Sequence, residues 1–452
     1  MTDFTTASAD AAARPKNNSL FERGERTRRR HAAERRFRMM GLAAVIFGIL
    51  ALIGLLGSIL ANGGSAFWQT YITLDVYLDP AKLDKAGNRD PEALRKVTTF
   101  GYAPLISTAL EQLIEERGIV VEGLGKKDVS GLISKEAPAK VRNTVLADPS
   151  IIGETVTFNL LADGRVDGFY KGRVTMETAE LDRNVSPAQL LLADELKEAG
   201  VLSTRFNLAF FTAPDASDTR PEAAGLGVAI LGSTYMMLIV LALSLPIGVA
   251  ASIYLEEFAP QNRLTDIIEV NIANLAAVPS IVFGILGLAV FINFVGLPQS
   301  APVVGGLVLT LMTLPTIIIA TRAALKAVPP SIREAALGVG ASKMQTIFHH
   351  VLPLAAPGIL TGAIIGLAQA LGETAPLLLI GMVAFVREFP SAPPEGFFDP
   401  ASALPVQVYN WTTRGDPAFV ERASGAIIVL LAFLAVMNIT AIILRRRFER
   451  RW

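Results

Sequence analysis

The 452-residue chain contains no cysteine. Disulfides, thiol catalysis and cysteine metal sites are therefore excluded, with no bearing on compartment. Its three histidines, His31, His349 and His350, form no H-E-x-x-H pair, which excludes a metalloprotease working inside a membrane. The phosphate-cradling pattern G-x-x-x-x-G-K-[ST] is also missing, so any ATP hydrolysis would have to take place on another chain. Net charge favours neither sign, since 41 Lys and Arg balance 41 Asp and Glu. What is abundant is apolar. A hydrophobic share of 51% and a mean hydropathy of +0.44 put membrane spans ahead of a soluble enzyme core.

The neutral balance conceals segregation. Residues 1–38 form a polar and then arginine-rich tail carrying Arg23, Arg26, Arg28, Arg29, Arg30, Arg35, Arg36 and Arg38. A basic run of this kind suits nucleic acid, but here it abuts the apolar stretch Met39–Ala61, long enough for the ~20 residues of a transmembrane helix. The expectation is a retained first span over 39–61 with a cytoplasmic N-terminus, a lipid bilayer as partner and no nucleic acid. Residues 62–225 are mixed and charged, as in a soluble domain. Ile72, Leu74, Val76 and Leu78 alternate as in a half-buried strand, and Leu105, Ala109, Leu110 and Leu113 share a helix face within 91–116. Val156, Phe158 and Leu160 followed by Asp163-Gly164 predict a hairpin, and Ser186-Pro187 predicts a helix start running to about Gly200. This spells an α+β domain, placed outside the cytoplasm by the single span before it. Asp163, Asp167 and Asp182 match no EF-hand spacing and read as solvated turn carboxylates. A lid, a dock for a binding protein and an assembly surface all remain open as the role of this domain.

From residue 226 to 444 the chain reads as membrane. Spans are expected over about Leu226–Tyr254, Leu275–Phe294, Val303–Ala323, Pro357–Ala384 and Ser424–Leu444. Asp266–Asn274 is amphipathic, and Tyr409 and Trp411 in VQVYNW suit a membrane interface. The end, residues 445–452, is a second basic tail. Six spans put both arginine-rich ends on one side; the acidic excess of Glu256, Glu257, Asp266 and Glu269 on that side counts little in such a rule.

One loop, about 329–353, has a more particular pattern. Ser331–Glu334 and Ser342–Gln345 both spell a capping box. Between them Gly338 or Gly340 ends the first helix, and Met344, Ile347, Phe348 and Val351 then make one apolar stripe. The run EAALGVGASKMQTIFHHVLP resembles the EAA loop of ABC importer permeases, with Glu334, Ala335, Ala336, Gly340, Leu352 and Pro353 matching and His350 departing. The resemblance implies that this loop docks on a separate cytoplasmic ATPase and transmits its motion.

A second stretch, GETAPLL, places Glu373 in an apolar run with Gln369 one turn earlier and Thr374 and Pro376 after it. An ionisable residue at membrane depth points to a translocation path; the plainer alternative is a carboxyl satisfying backbone freed by Pro376. With YLEEFAP, NLAAVPSIVFGILGL and LPVQVYNW, this stretch resembles the A-type permease of the bacterial phosphate importers. Two positions depart: Gln369 and Ile319 stand where relatives often carry arginine, with Arg322 a turn on from the latter. The resulting expectation is an all-α polytopic membrane protein of the ABC importer permease type, with six transmembrane helices and an inserted α+β extracytoplasmic domain. The resemblance further implies a second permease subunit of the PstC kind, an ATPase dimer of the PstB kind and a periplasmic phosphate-binding protein. This chain itself would bind no cofactor and no metal and hold no catalytic residue, ATP and magnesium being used by the ATPase. Permeation of another small solute, or a channel or secondary carrier, are the alternatives.

Overall fold

The computed structural model describes residues 25–84, 87–382 and 385–448. The expected tail up to residue 24, the last four residues and the expected end of the fifth span at Ala384 lie outside them. The described residues up to Ser58 form one compact unit, and those from Ile59 onward form another. The first holds most of helix α1, Glu25–Gly63, whose basic start runs without a break into the apolar stretch.

In the second unit the 62–225 region is built on a three-stranded antiparallel sheet. Strand β1 (Trp68–Tyr77) lies between β2 (Thr155–Leu161) and β3 (Leu202–Phe206). Ile72 pairs with Leu160 and Leu74 with Phe158, so the alternation seen in both segments stacks apolar side chains on one face. Helix α2 (Thr99–Glu116) covers that face with Leu105, Ile106, Ala109 and Leu110, and α3 (Ala137–Ala147) adds Val141 and Val145. The expected hairpin at Asp163-Gly164 is not formed. The Asp163 side chain instead accepts the Arg165 N–H at 2.9 Å and starts helix α4, Gly164–Tyr170. Aspartate serves a helix N-terminus as readily as a turn, and β2 finds its partner some eighty residues back rather than ahead. Helix α5 (Pro187–Glu198) starts at Ser186, which accepts the Gln189 N–H.

Beyond residue 226 the helices are long and apolar. Helix α6 (Gly227–Ile253) leads through a π-helical turn to Phe258; α7 (Arg263–Ala276) follows, then α8 (Ser280–Leu286), continued by a π-helical stretch to Phe294. Helix α9 (Pro302–Lys326) lies at the centre, against α6 on one side and α12 (Leu352–Gly372) on the other. Small residues permit the approach: a Cβ on Gly362 would stand 2.3 Å from Ala320 Cβ, and one on Gly248 2.7 Å from Ile317. Helix α15 (Pro417–Phe448) packs along α12.

Among the described residues, five helices are long and apolar enough to cross a membrane, and six if one bent pair counts as a span. That pair corrects the expected third span. Helices α7 and α8 meet at 102° across Ala277–Pro279, so the apolar run from Leu275 is a corner and not a straight rod. Proline at 279 disfavours helical backbone in Val278 and breaks the run there. The fifth span is corrected too. It stops at Gly372, Glu373 is extended with φ −78° and ψ 128°, and a short helix α13 (Ala375–Leu379) follows. Trp411, expected at a membrane surface, is fully buried on helix α14 (Leu404–Thr412), with Nε1 donating to Asp215 Oδ1 at 2.9 Å.

Candidate functional site

The loop between α9 and α12 begins with helix α10 (Pro330–Gly338). Proline at the first helical position starts the helix two residues earlier than the S-x-x-E reading requires, so Ser331 is already inside it and no capping box forms there. The stop is sharper. Gly340 has φ +91°, its N–H donates to Leu337 O at 3.0 Å, and Ala341 N–H donates to Ala336 O at 3.1 Å. This is the paired termination that uses a left-handed residue after the helix, where glycine costs least. Two residues on, Ser342 and Gln345 form the second capping box, each side chain accepting the other's backbone N–H.

The chain then winds through a π-helical turn, Ile347–Val351, into α12. Pro353 has no N–H to donate to the carbonyl four residues back, and Leu352 N–H reaches Ile347 O, five back. Ile347 and Val351 point into the core, whereas Met344 and Phe348 from the same expected stripe stay open to a groove of about 500 Å³ against α6. At the tip Glu334, Ala335, Leu337 and Gly340 are exposed, Val339 is 86% exposed, and only Ala336 turns inward. The tip is thus apolar with one carboxylate, held by a defined turn and left exposed among the described residues.

Arg333, beside Glu334, fixes this loop to the helices below it. Its guanidinium reaches Glu257 Oε1 at 2.7 and 3.1 Å, and donates to Leu325 O at 2.9 Å and Val328 O at 2.7 Å. One side chain thus joins α10, the end of α6 and the end of α9. Arg322 makes a parallel tie, to Glu269 on α7 at 2.6 Å and to Glu256 at 3.3 Å. No local sequence pattern marks these joints; their one signal in the sequence is the acidic excess of Glu256, Glu257 and Glu269.

The second group lies at the other end of α12, about 30 Å from Leu352 at 1.5 Å per residue. Gln369 is exposed, Glu373 and Thr374 are half-buried, and the side chain of Glu373 has no hydrogen-bond partner among the described residues. Pro376 is buried beneath α8, where a Cβ on Gly284 would stand 2.7 Å from its Cα. Glu373 therefore sits at a helix break and not within a helical turn. The structure keeps the loop and this group apart and joins them through α12.

Residues 244–452 match the family described as binding-protein-dependent transport system inner membrane component, and residues 24–180 a domain of unknown function (DUF3333). The chain is similar to the "Probable ABC transporter permease protein YqgI" of Bacillus subtilis, with 34% identity over 230 residues covering 48% of this chain and 78% of that one. It is similar to the phosphate transport system permease protein PstA 1 of Mycobacterium tuberculosis, with 31% identity over 229 residues and coverage of 51% and 73%. The PstA of Xylella fastidiosa is 30% identical over 220 residues, with coverage of 49% and 74%. The chain belongs to the ABC transporter permeases. This permease is a multi-pass membrane protein and a transport subunit, not an enzyme. The 329–353 loop and the broken helix both fall inside the matched transport region, and most of the α+β insert inside the domain of unknown function.

Proposed function

We propose that this permease is the A-type subunit of an importer for inorganic phosphate. The observation that carries the reading is the exposed Glu334–Gly340 elbow, a docking tip tied by Arg333 to two long helices. The PstA relatives add the substrate, since they are phosphate transport system permeases. In this reading the loop takes up the motion of a cytoplasmic ATPase dimer of the PstB kind, which uses ATP and magnesium. A second permease of the PstC kind completes the pore, and a phosphate-binding protein delivers the anion. Both termini lie in the cytoplasm and the 62–225 insert outside it.

Gln369, Glu373, Thr374 and Pro376 line the path at the helix break between α12 and α13. The absence of arginine at 369 and 319 favours a second reading, a permease of the same kind for another small solute. One experiment separates the two. The subunits are expressed together in cells lacking their own phosphate permeases, and labelled phosphate uptake is measured with sulfate and other anions as competitors. Phosphate uptake that unlabelled phosphate alone suppresses supports the first reading; a complex that assembles and hydrolyses ATP without phosphate uptake overturns it. Protease added outside intact spheroplasts tests orientation, with cleavage expected inside 62–225 and none in 329–353.

A further inference from the structure

The insert meets the end of α15 through buried charge. Asp167 on α4 is buried and accepts the Thr70 N–H of β1 at 3.0 Å. Lys171, one turn on, places Nζ 2.7 Å from Asp167 Oδ2 and 2.9 Å from Glu421 Oε1. Arg173 Nε stands 2.7 Å from Glu421 Oε2, close enough for an ion pair though not aligned as a hydrogen bond. Arg422, only 2% exposed, donates to Gln69 Oε1 at 2.6 Å, Glu222 O at 2.8 Å and Ala224 O at 3.1 Å. Asp167 was expected to be a solvated turn carboxylate; it is instead the anchor of this cluster.

Apolar packing seals the same junction, where a Cβ on Gly425 would stand 2.7 Å from Ala66 Cβ and 3.0 Å from Phe210. Buried ion pairs of this kind add little net stability, because desolvation offsets the attraction, but they are satisfied in one geometry only. A domain that swung away as a lid would have to break the ion pairs of Lys171 and Arg173 with Glu421 and the hydrogen bond of Arg422 to Gln69 together.

From this geometry we propose that the insert is a rigid brace on α15. Glu421 and Arg422 act as positioning residues, and insert and helix move as one body through the transport cycle. The inference rests on membership of the permease family and not on phosphate as the substrate.

The absence of cysteine allows a clean test. Spin labels are placed at Val120→Cys in the insert and Val436→Cys on α15, both exposed, and their separation is measured in the assembled transporter without nucleotide and trapped with ATP. The brace predicts one narrow distance, the same in both states. A distance that broadens or shifts on ATP trapping overturns it. In the same labelled protein Glu421→Gln leaves Lys171 and Arg173 in excess of negative partners, and the distance is expected to broaden while substrate moved per ATP falls. The pair Lys171→Met with Glu421→Met keeps the charge balance and is expected to restore both. A Glu421→Gln protein with the original width and the original yield per ATP removes the positioning role. Should that variant not fold, the label distance in the native background still decides. Because the distance does not depend on the substrate, loss of phosphate uptake and loss of the brace are separable outcomes.

Discussion

Arg333 ties the loop to α6 and α9 through Glu257, Leu325 and Val328, yet it is not among the residues that match the permease pattern. Its side chain is about a fifth exposed and that of Glu257 less than a tenth, so the pair is only partly screened. Hydrogen bonds to charged groups of this sort are worth about 1.5–3 kcal/mol. Arg333→Glu is expected to detach α10 from α6 and α9, reducing ATP-driven uptake about tenfold or more with the chain still inserted. Exchanging the charges, Arg333→Glu with Glu257→Arg, is expected to recover part of it, though the new arginine cannot reach both carbonyls. Uptake equal to the native protein in the single variant would remove Arg333 from the coupling route.

Glu222 makes a pH prediction at the same scale. Burial pushes its carboxyl up to about 7 against the Ser134 hydroxyl that donates to it, with Asp163 adding repulsion and Arg422 opposing. Its second oxygen has no hydrogen-bond partner, which suits a protonated acid in a dry site. In the unfolded chain the group ionises near 4.5. The folded protein thus binds more protons between about 4.5 and 7, and stability falls as pH rises through that window and then levels. The slope integrates to about 3 kcal/mol at most. Thermal unfolding of the detergent-solubilised protein between pH 5 and pH 8 is expected to show this loss, and Glu222→Gln to flatten it. An unchanged slope in Glu222→Gln would mean that another group titrates.

At the scale of elements, the ends of helices were legible where the chemistry is local. Ser342 with Gln345 and the glycine at 340 need only a few residues to act, and both form as their spacing implies. Ser331 failed as a cap because Pro330 fixes the helix start ahead of it. Asp163-Gly164 failed as a hairpin because its two meanings, turn and cap, are told apart only by a partner strand far back in the chain. Apolar runs were legible as membrane helices but not as straight ones, since Leu275–Phe294 has the same composition bent as it would have unbent. Trp411 was misread for a related reason. An indole suits an interface and a core equally, and Asp215, which satisfies it, is remote in sequence.

Two element-scale consequences are measurable. Gly340→Ala puts a side chain where φ is +91°, at about 1–2 kcal/mol. Uptake is expected to fall several-fold while the chain remains in the membrane, and a shift in ATPase co-purification would register the altered elbow. Glu373→Ala, at the break between α12 and α13, is expected to lower uptake sharply with complex assembly intact. A silent Glu373→Ala would move the path to the partner permease.

At the scale of the whole molecule three parts lie along one route: the exposed Glu334–Gly340 elbow, the helices α6 and α9 to which Arg333 ties it, and α12, which runs on from the loop to the helix break. Family, helix count and elbow were within reach of the residues alone. The charge joints at Arg333 and at Glu421 were not, because each couples residues 76 and 250 positions apart that carry no shared local pattern. The most direct test is ATP-driven phosphate accumulation in proteoliposomes holding the assembled transporter and the phosphate-binding protein, with native chain and with Glu334→Lys. The account predicts accumulation that requires ATP in the native complex and is lost in Glu334→Lys while the ATPase remains part of the complex. Accumulation without ATP, or undiminished accumulation in Glu334→Lys, would contradict it.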